Sequence, residues 1–376
     1  MGSRILVVFG TRPEAIKMLP VVKALRARAD LDPVVVVTGQ HREMLDQVFA
    51  AFAERPDIDL ELMSAGQTLT DITVRVLARM AEVFEQQKPD LVLVHGDTTT
   101  AMAAALAAFY ARIPVGHVEA GLRSHDITRP WPEEYNRVSV DAVADFCFAP
   151  TETSAENLRR ESPRERTIAV TGNTGIDAVL YMAGLVDEAM LEDLEVTPAA
   201  DKKLVLVTGH RRESFGGGFD RICDGIARIA ARPDVEVIYP VHLNPQVRGV
   251  VMERLGGLPN VHLIAPVDYV RMVALMKRAD IILTDSGGIQ EEGPALGKPV
   301  LVMREVTERP EALATGVVSL VGTDPELIHR EVSRLLDEPD YYAGRARPVF
   351  PYGDGTAAEK IADIIEAYAR KERAAA

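Results

Sequence analysis

A chain of 376 residues is too long for one ordinary core and long enough for two α/β domains of about 150–200 residues each. Its 47% hydrophobic and 26% charged residues are those of a globular protein, and a formal net charge of −14 argues against nucleic acid or an acidic membrane as partner, since either calls for a basic surface. Any anionic ligand must meet a local cluster of arginine and lysine instead. The two cysteines, Cys147 and Cys223, make no disulfide framework, and no run approaches the ~20 apolar residues of a membrane span, so a reducing, cytoplasmic setting is expected.

Arg4–Phe9 is a continuous apolar run of strand length, followed by a helical pattern from Ala15 to Ala29. Between them Thr11, Pro13 and Glu14 fit a capping box with Thr11 at the N-cap. A turn at Gly10 into a helix N-terminus presents amides that attract anions, and Arg12 and Lys17 add positive charge there. Two solvated cations on a well-capped helix is the plainer alternative. Pro33–Thr38 repeats the strand pattern and leads through Gly39-Gln40-His41-Arg42 into a helix from about Glu43. Pro56–Gly66 is irregular, and Thr68–Gln87 reads as a long amphipathic helix.

Leu91–Val94 and Ile113–Val118 are apolar runs that each end in a carboxylate, Asp97 and Glu119, with a helix predicted over Thr99–Arg112. As neighbouring parallel strands they would bring both carboxylates out side by side at the carboxyl edge of one sheet, where open α/β folds bind ligands. A further acidic pair, Glu133-Glu134, follows in a Pro-flanked loop. A helix over about Glu134–Ala144, strand Phe146–Ala149, a helix capped at Thr153-Ser154-Ala155-Glu156 and strand Thr167–Thr171 complete the first half. Gly172-Asn173-Thr174-Gly175 reads as a turn and candidate hinge, and a mixed polar helical stretch runs to about Asp201.

A second series starts at strand Lys203–Thr208 and continues through Val235–Val241, Val261–Ala265, Asp280–Thr284, Val300–Met303 and Val317–Val321, with helices between. Such βαβ alternation predicts an α/β fold of two doubly wound, Rossmann-like parallel sheets facing one another across a cleft. The expected divisions are residues 1–172, 173–355 and a last helix over 356–376 that packs back on the first domain.

His210 and His242 each lie just past the carboxyl end of a predicted strand, and Arg211 and Arg212 accompany the first. A histidine with two arginines and no acidic partner nearby suits the neutralisation of a leaving phosphate. Thr284–Glu292 lies where a buried strand turns into a helix. There Gly287 and Gly288 allow close approach, the Ser286 hydroxyl with helix amides suits a phosphate, and Glu292 can hold ribose hydroxyls. No G-x-x-x-x-G-K-[ST] occurs and no G-x-G-x-x-G opens a helix, which disfavours nucleoside triphosphates and dinucleotides. His117-Val118-Glu119 matches half of a zinc-deaminase signature, but its P-C-x-x-C half and any H-E-x-x-H are missing, so no metal is expected.

Taken in order, GTRPEAIKM, QHREMLDQV, VHGDTTT, PVGHVEAGLR, PWPEE-x-NR, TGHRRESFG, PVHLNP, LTDSGGIQEE, GKPVLVMR-x-x-TERPEA and PYGDG resemble the non-hydrolysing UDP-N-acetylglucosamine 2-epimerases, from Phe9 to Gly355. The resemblance implies a GT-B type fold and interconversion of UDP-GlcNAc and UDP-ManNAc. UDP would be eliminated across C1–C2 to leave a bound 2-acetamidoglucal, then added back with a proton delivered to the other face. No cofactor is needed, and the product would supply ManNAc for cell-surface polysaccharides.

It also implies roles. Asp97, Glu119 and Glu133 match the catalytic carboxylates, and His210 the histidine at the departing UDP. Which carboxylate takes the proton stays open. Arg12, Lys17, Ser286, Gly287, Gly288, Glu292 and Arg309 match residues that hold UDP. Gln40, His41, Arg211 and His242 match a second pocket where substrate activates, and a homodimer is implied. Within Pro266–Met272, Val267 and Met272 stand where relatives often carry a glutamine and an aromatic near the uracil. A hydrolysing epimerase and a UDP-sugar glycosyltransferase are the rival readings, the second opposed by the acidic trio.

Overall fold

Apolar strand runs alternating with amphipathic segments build two parallel sheets. The computed structural model describes residues 2–39, 42–62, 64, 66–161, 165–191, 201–211, 215–307 and 309–375. It divides into two units, Met1–Ala178 with Tyr352–Ala376, and Val179–Pro351. Two doubly wound sheets of this kind are the plan expected of a GT-B type chain.

The first unit contains β1 (Ser3–Phe9), α1 (Arg12–Arg26), β2 (Leu31–Val37), α2 (Arg42–Ala51), β3 (Ile58–Asp59), α3 (Leu69–Gln87) and β4 (Leu91–His95). It continues with α4 (Thr99–Tyr110), β5 (Val115–Val118), α5 (Glu133–Val143), β6 (Phe146–Ala149), α6 (Glu152–Glu161), β7 (Thr167–Val170) and the start of α7 (Thr174–Leu185). The strand order is β3-β2-β1-β4-β5-β6-β7, with every pair parallel. Ile5–Phe9 and Leu91–Val94 are fully buried, as strands covered by helices on both faces must be. Each such side chain contributes roughly 1.5–3 kcal/mol. The small residues of α4 (Ala101, Ala104, Ala105 and Ala108) are buried in the same core as Met80 and Phe84 of α3.

The second unit carries β8 (Lys203–Thr208), α8 (Gly218–Ala230), β9 (Val235–Pro240), α9 (Pro245–Leu255), β10 (Val261–Ile264), α10 (Tyr269–Arg278) and β11 (Ile281–Thr284). After these come α11 (Gly287–Ala295), β12 (Val300–Val302), α12 (Pro310–Ala314), β13 (Val318–Leu320), α13 (Pro325–Asp337) and α14 (Pro339–Arg345). Its order, β10-β9-β8-β11-β12-β13, repeats that of the first sheet without its seventh strand, β7. Both sheets therefore reverse direction of winding beside their first strand, between β1 and β4 and between β8 and β11, and such switch points are where these folds hold ligands.

The last helix, α15 (Ala357–Ala375), belongs to the first unit and lies on α1. Arg28 reaches Glu359 and Asp363 at 2.6 Å each. Tyr368 meets Phe146 edge-on with ring centroids 4.9 Å apart. No described helix is long and apolar enough to cross a membrane.

Several local expectations are corrected. Helix α1 starts at Arg12 rather than Ala15, because the capping box at Thr11 and Glu14 fixes its start. The irregular stretch after Pro56 holds the two-residue edge strand β3, too short to show alternation. Helix α6 is capped by Thr151, whose hydroxyl accepts from Ser154 N at 3.3 Å, and not by Thr153. Glu133 joins Glu134 in the first turn of α5 rather than lying in a loop, and Thr174-Gly175 open α7 rather than end a turn.

Candidate active site

The loops after β1 and β4 are stitched together by Glu14, which is 2% exposed. Its Oε2 accepts from Gly10 N at 3.1 Å and Thr11 N at 2.7 Å, and its Oε1 accepts from the Thr98 hydroxyl at 2.7 Å. Thr98 in turn caps α4 by accepting from Ala101 N at 3.0 Å. Burial pushes the Glu14 carboxyl above its ordinary range, against the lowering effect of these hydrogen bonds. Gly10 sits so close to this junction that a β-carbon would stand 2.4 Å from Thr38 Oγ1. Arg12, in the first turn of α1, has no side-chain partner among the described residues.

Asp97 follows β4 and is gripped by α5. The Arg137 guanidinium pairs with its carboxylate, and Asn136 Nδ2 donates to its carbonyl at 2.9 Å. Arg137 also holds buried Glu134 at 3.1 Å, while the other oxygen of Glu134 accepts from the amides of Ser124 and His125 at 2.9 and 3.2 Å. The same helical turn carries Glu133, half-buried, its carboxylate without a hydrogen-bond partner among the described residues. Asp97 and Glu119 leave neighbouring strands, since His95 of β4 is in register with Val118 of β5.

Glu119 is the first residue past β5, and its backbone is left-handed, with φ +68°. Its Oε2 receives Lys17 Nζ from α1 and Asn173 Nδ2 at 3.1 Å, and His95 Nε2 stands 3.7 Å away. Lys17, expected among the residues that hold UDP, is thus committed to a carboxylate. Asn173 is fixed from both sides: its side-chain oxygen accepts from Gly175 N at 2.8 Å, and its amide donates to Tyr352 O at 2.6 Å. Gly172 and Gly353 allow that approach, both at positive φ (96° and 110°), where a β-carbon on Gly353 would lie 2.9 Å from Gly172 Cα.

Two buried histidines line the strand ends. Burial, helped by Lys17 and His117 and opposed by Glu119, depresses His95 to about 3, so its ring is neutral. His117 lies between Asp141, 2.6 Å from Nδ1, and Gly96 O, 2.8 Å from Nε2. Asp141 also meets Arg123 at 2.8 Å. Burial alone would raise Asp141, but His117 and Arg123 outweigh it and hold the carboxyl below the usual range.

In the second unit His210 follows β8, and the expectation that it lacks an acidic partner is wrong. Fully buried Asp285, at the end of β11, accepts from His210 N at 2.7 Å and Arg211 N at 2.8 Å, and its other oxygen lies 3.2 Å from His210 Nδ1. Burial raises Asp285, but His210 and the two amides more than offset this and hold it low. The His210 ring stacks on His242 at 5.6 Å, and His242 Nδ1 accepts from Asn244 N at 3.1 Å. Arg211 and His242, expected in a second pocket, are therefore beside His210, while Gln40 and His41 lie outside the described residues.

Ser286 is the N-cap of α11, yet its hydroxyl caps no amide, leaving hydroxyl and helix N-terminus together as an anion cradle. Gly288 keeps the cradle open, the nearest atoms to a β-carbon there being Glu292 Oε1 at 3.9 Å and Ser286 Oγ at 4.0 Å. Arg309 pairs with buried Glu291, and the Thr307 hydroxyl donates to Gln290 Oε1 at 2.6 Å. Among the described residues no three His, Cys, Asp or Glu side chains group as a metal site would require. Sequence reasoning missed His95, Arg137, Asn173 and Asp285. His95 ends β4 and Asp285 adjoins Ser286, the signal that could have found them, whereas Arg137 and Asn173 are revealed only by contact.

A family model described as UDP-N-acetylglucosamine 2-epimerase matches residues 23–366. Over 372 residues the chain is 54% identical to the UDP-N-acetylglucosamine 2-epimerase of Escherichia coli, spanning 96% of this chain and 98% of that one. It is also 54% identical over 371 residues to the enzyme of that name from Salmonella typhimurium, spanning 97% and 99%. The crystal structure of UDP-GlcNAc 2-epimerase from Neisseria meningitidis bound to UDP-GlcNAc superposes with a TM-score of 0.88 at 45% identity, covering 96% of this chain and 99% of that one.

Proposed function

The chain belongs to the UDP-N-acetylglucosamine 2-epimerase family and is an isomerase, and from this premise we propose that it works without hydrolysis, by losing and regaining UDP across C1–C2 of the sugar. The C2 proton is not next to a carbonyl, so its direct removal is hard. Elimination makes it labile: the C2–H electron pair becomes the C1=C2 bond of 2-acetamidoglucal as the C1–O bond breaks. Addition of UDP with a proton delivered to the opposite face then gives UDP-ManNAc.

One observation carries this reading. Two strand-end carboxylates, Asp97 and Glu119, are each paired with a cation, Arg137 and Lys17. A carboxylate so paired is a base, and it becomes an acid once protonated and its cation is drawn to another anion. Glu133 supplies a third carboxylate, unpaired among the described residues. His210, steadied by Asp285, takes the charge that develops on the departing phosphate, and Arg12, Ser286, Gly287, Gly288, Glu292 and Arg309 bind UDP. The stack of His242 on His210 supports a further nucleotide-sugar contact at Arg211 and His242 in the second unit. Exposed Phe109 and Tyr110 at the end of α4 support a homodimer through that helix end.

Proton NMR of UDP-GlcNAc incubated with the enzyme in D2O tests the scheme. UDP-ManNAc carrying deuterium at C2 is expected. Free ManNAc with UDP selects the hydrolysing mechanism, and unchanged substrate overturns both.

A further inference from the structure

His95 ends β4 with only 4% of its surface exposed, and neither ring nitrogen has a hydrogen-bond partner among the described residues. Polar atoms are rarely buried in this way without a reason. The register of β4 on β5 sets His95 beside Val118, and the left-handed turn at Glu119 brings that carboxylate to the ring, with Oε2 3.7 Å from Nε2. The same oxygen faces two donors, the Lys17 ammonium and Asn173 Nδ2. These satisfy a carboxylate and are wrong for a carboxylic acid, which has a proton to give and needs an acceptor. A neutral imidazole offers one.

We infer that His95 is a positioning residue for Glu119, accepting at Nε2 the hydrogen bond of the Glu119 carboxyl whenever that group carries a proton. The ring keeps its own proton on Nδ1 and transfers none. Lys17 and Asn173 hold the charged form of Glu119, and His95 holds the neutral one, so the two ends of a proton transfer are each provided for. The charged and titratable groups facing the ring are Glu119, Lys17 and His117, and burial keeps it neutral among them. When Glu119 takes a proton, Lys17 loses its counter-ion and is released toward whatever negative charge is developing. When the proton leaves, the ion pair re-forms. The inference rests on the reading of Glu119 as a proton-transferring group.

The test compares two variants of the full chain. His95→Gln keeps an acceptor where Nε2 stands, whereas His95→Asn keeps a polar atom only near Nδ1. The readout is the pH profile of kcat/KM for deuterium uptake at C2, with the limb governed by Glu119 identified as the one lost in Glu119→Gln. Losing the acceptor destabilises protonated Glu119, so in His95→Asn that limb moves to lower pH by about one unit and kcat falls about tenfold with little change in KM. In His95→Gln both return most of the way to the parent values. An unmoved limb in His95→Asn, or equal impairment of the two variants, overturns the inference. Should His95→Asn fail to fold, His95→Phe, which fills the ring's volume without an acceptor, carries the same two outcomes. A parent enzyme that makes no UDP-ManNAc overturns the epimerase reading and this inference together, whereas parent turnover with an unmoved limb overturns this inference alone.

Discussion

The two sheets share one strand order and one kind of switch point, and they dress it with opposite charge. Between β1 and β4 the carboxylates Asp97 and Glu119 are presented, each with a cation behind it. Between β8 and β11 the carboxylate, Asp285, is turned inward, and what it supports is a half-exposed histidine beside a helix N-terminus. A buried acid fastens the strand-end loops in both places, Glu14 in one and Asp285 in the other. Glu14 is surrounded by neutral donors and is pushed up, while Asp285 has an imidazole at hand and is held down. A shared topology thus yields an edge that shows carboxylates and an edge suited to an anion, according to which charge is buried and which is shown.

The comparison breaks most visibly at the presented carboxylates. Asp97→Asn and Glu119→Gln should each lower turnover about 100-fold or more while calorimetric binding of UDP stays near the parent value. Near-normal turnover in either variant removes that residue from the proton chemistry.

A smaller effect is expected at the inward acid of the second unit. Asp285→Asn weakens the hold on two amides and removes the charge facing His210, so turnover should fall about tenfold and stability by about 1–3 kcal/mol at pH 7, read from denaturant unfolding. Because the folded-state carboxyl is held low, its stabilising contribution is present above the ordinary carboxyl range and is lost as pH falls through the depressed value. The gap between parent and variant should therefore close in acid, and a gap that widens there contradicts the assignment.

Glu14→Gln should show the least effect and the opposite sign. A glutamine can accept from the amides of Gly10 and Thr11 while its NH2 donates to the Thr98 hydroxyl oxygen. The folded Glu14 carboxyl is raised, so its contribution is complete below the ordinary carboxyl range and is lost as pH rises through the raised value. Parent and variant should melt within about 1 kcal/mol of each other at pH 4, with the variant the more stable at pH 8. If the parent wins at pH 8, the carboxylate form of Glu14 is the one the fold prefers.

Much of this was legible in the sequence, because strands buried on both faces read as unbroken apolar runs and their last residues mark the binding edge. Asp97, Glu119, His210 and Ser286 could all be picked out in that way. Asp285 could not be paired with His210 from the sequence, since the two lie 75 residues apart and meet only because β8 and β11 are neighbours. Thr151 lost its cap to Thr153 in the reading because T-E-T-S offers two hydroxyls at plausible spacing. Glu133 was assigned to a loop because flanking prolines suggested one, yet Pro132 stands just before the first turn of α5, where its missing N–H does no harm. Asn173 carries no charge pattern, and only three-dimensional contact reveals it.

The contact between Gly172 and Gly353 has a practical consequence for anyone who trims, tags or mutates the chain near its end. Asn173 holds Glu119, and Tyr352 holds Asn173, so the returning segment helps to set where the Glu119 carboxylate stands. A side chain placed at Gly353, more than two hundred positions from Glu119 along the chain, would be felt at the hydrogen bond that Asn173 gives that carboxylate.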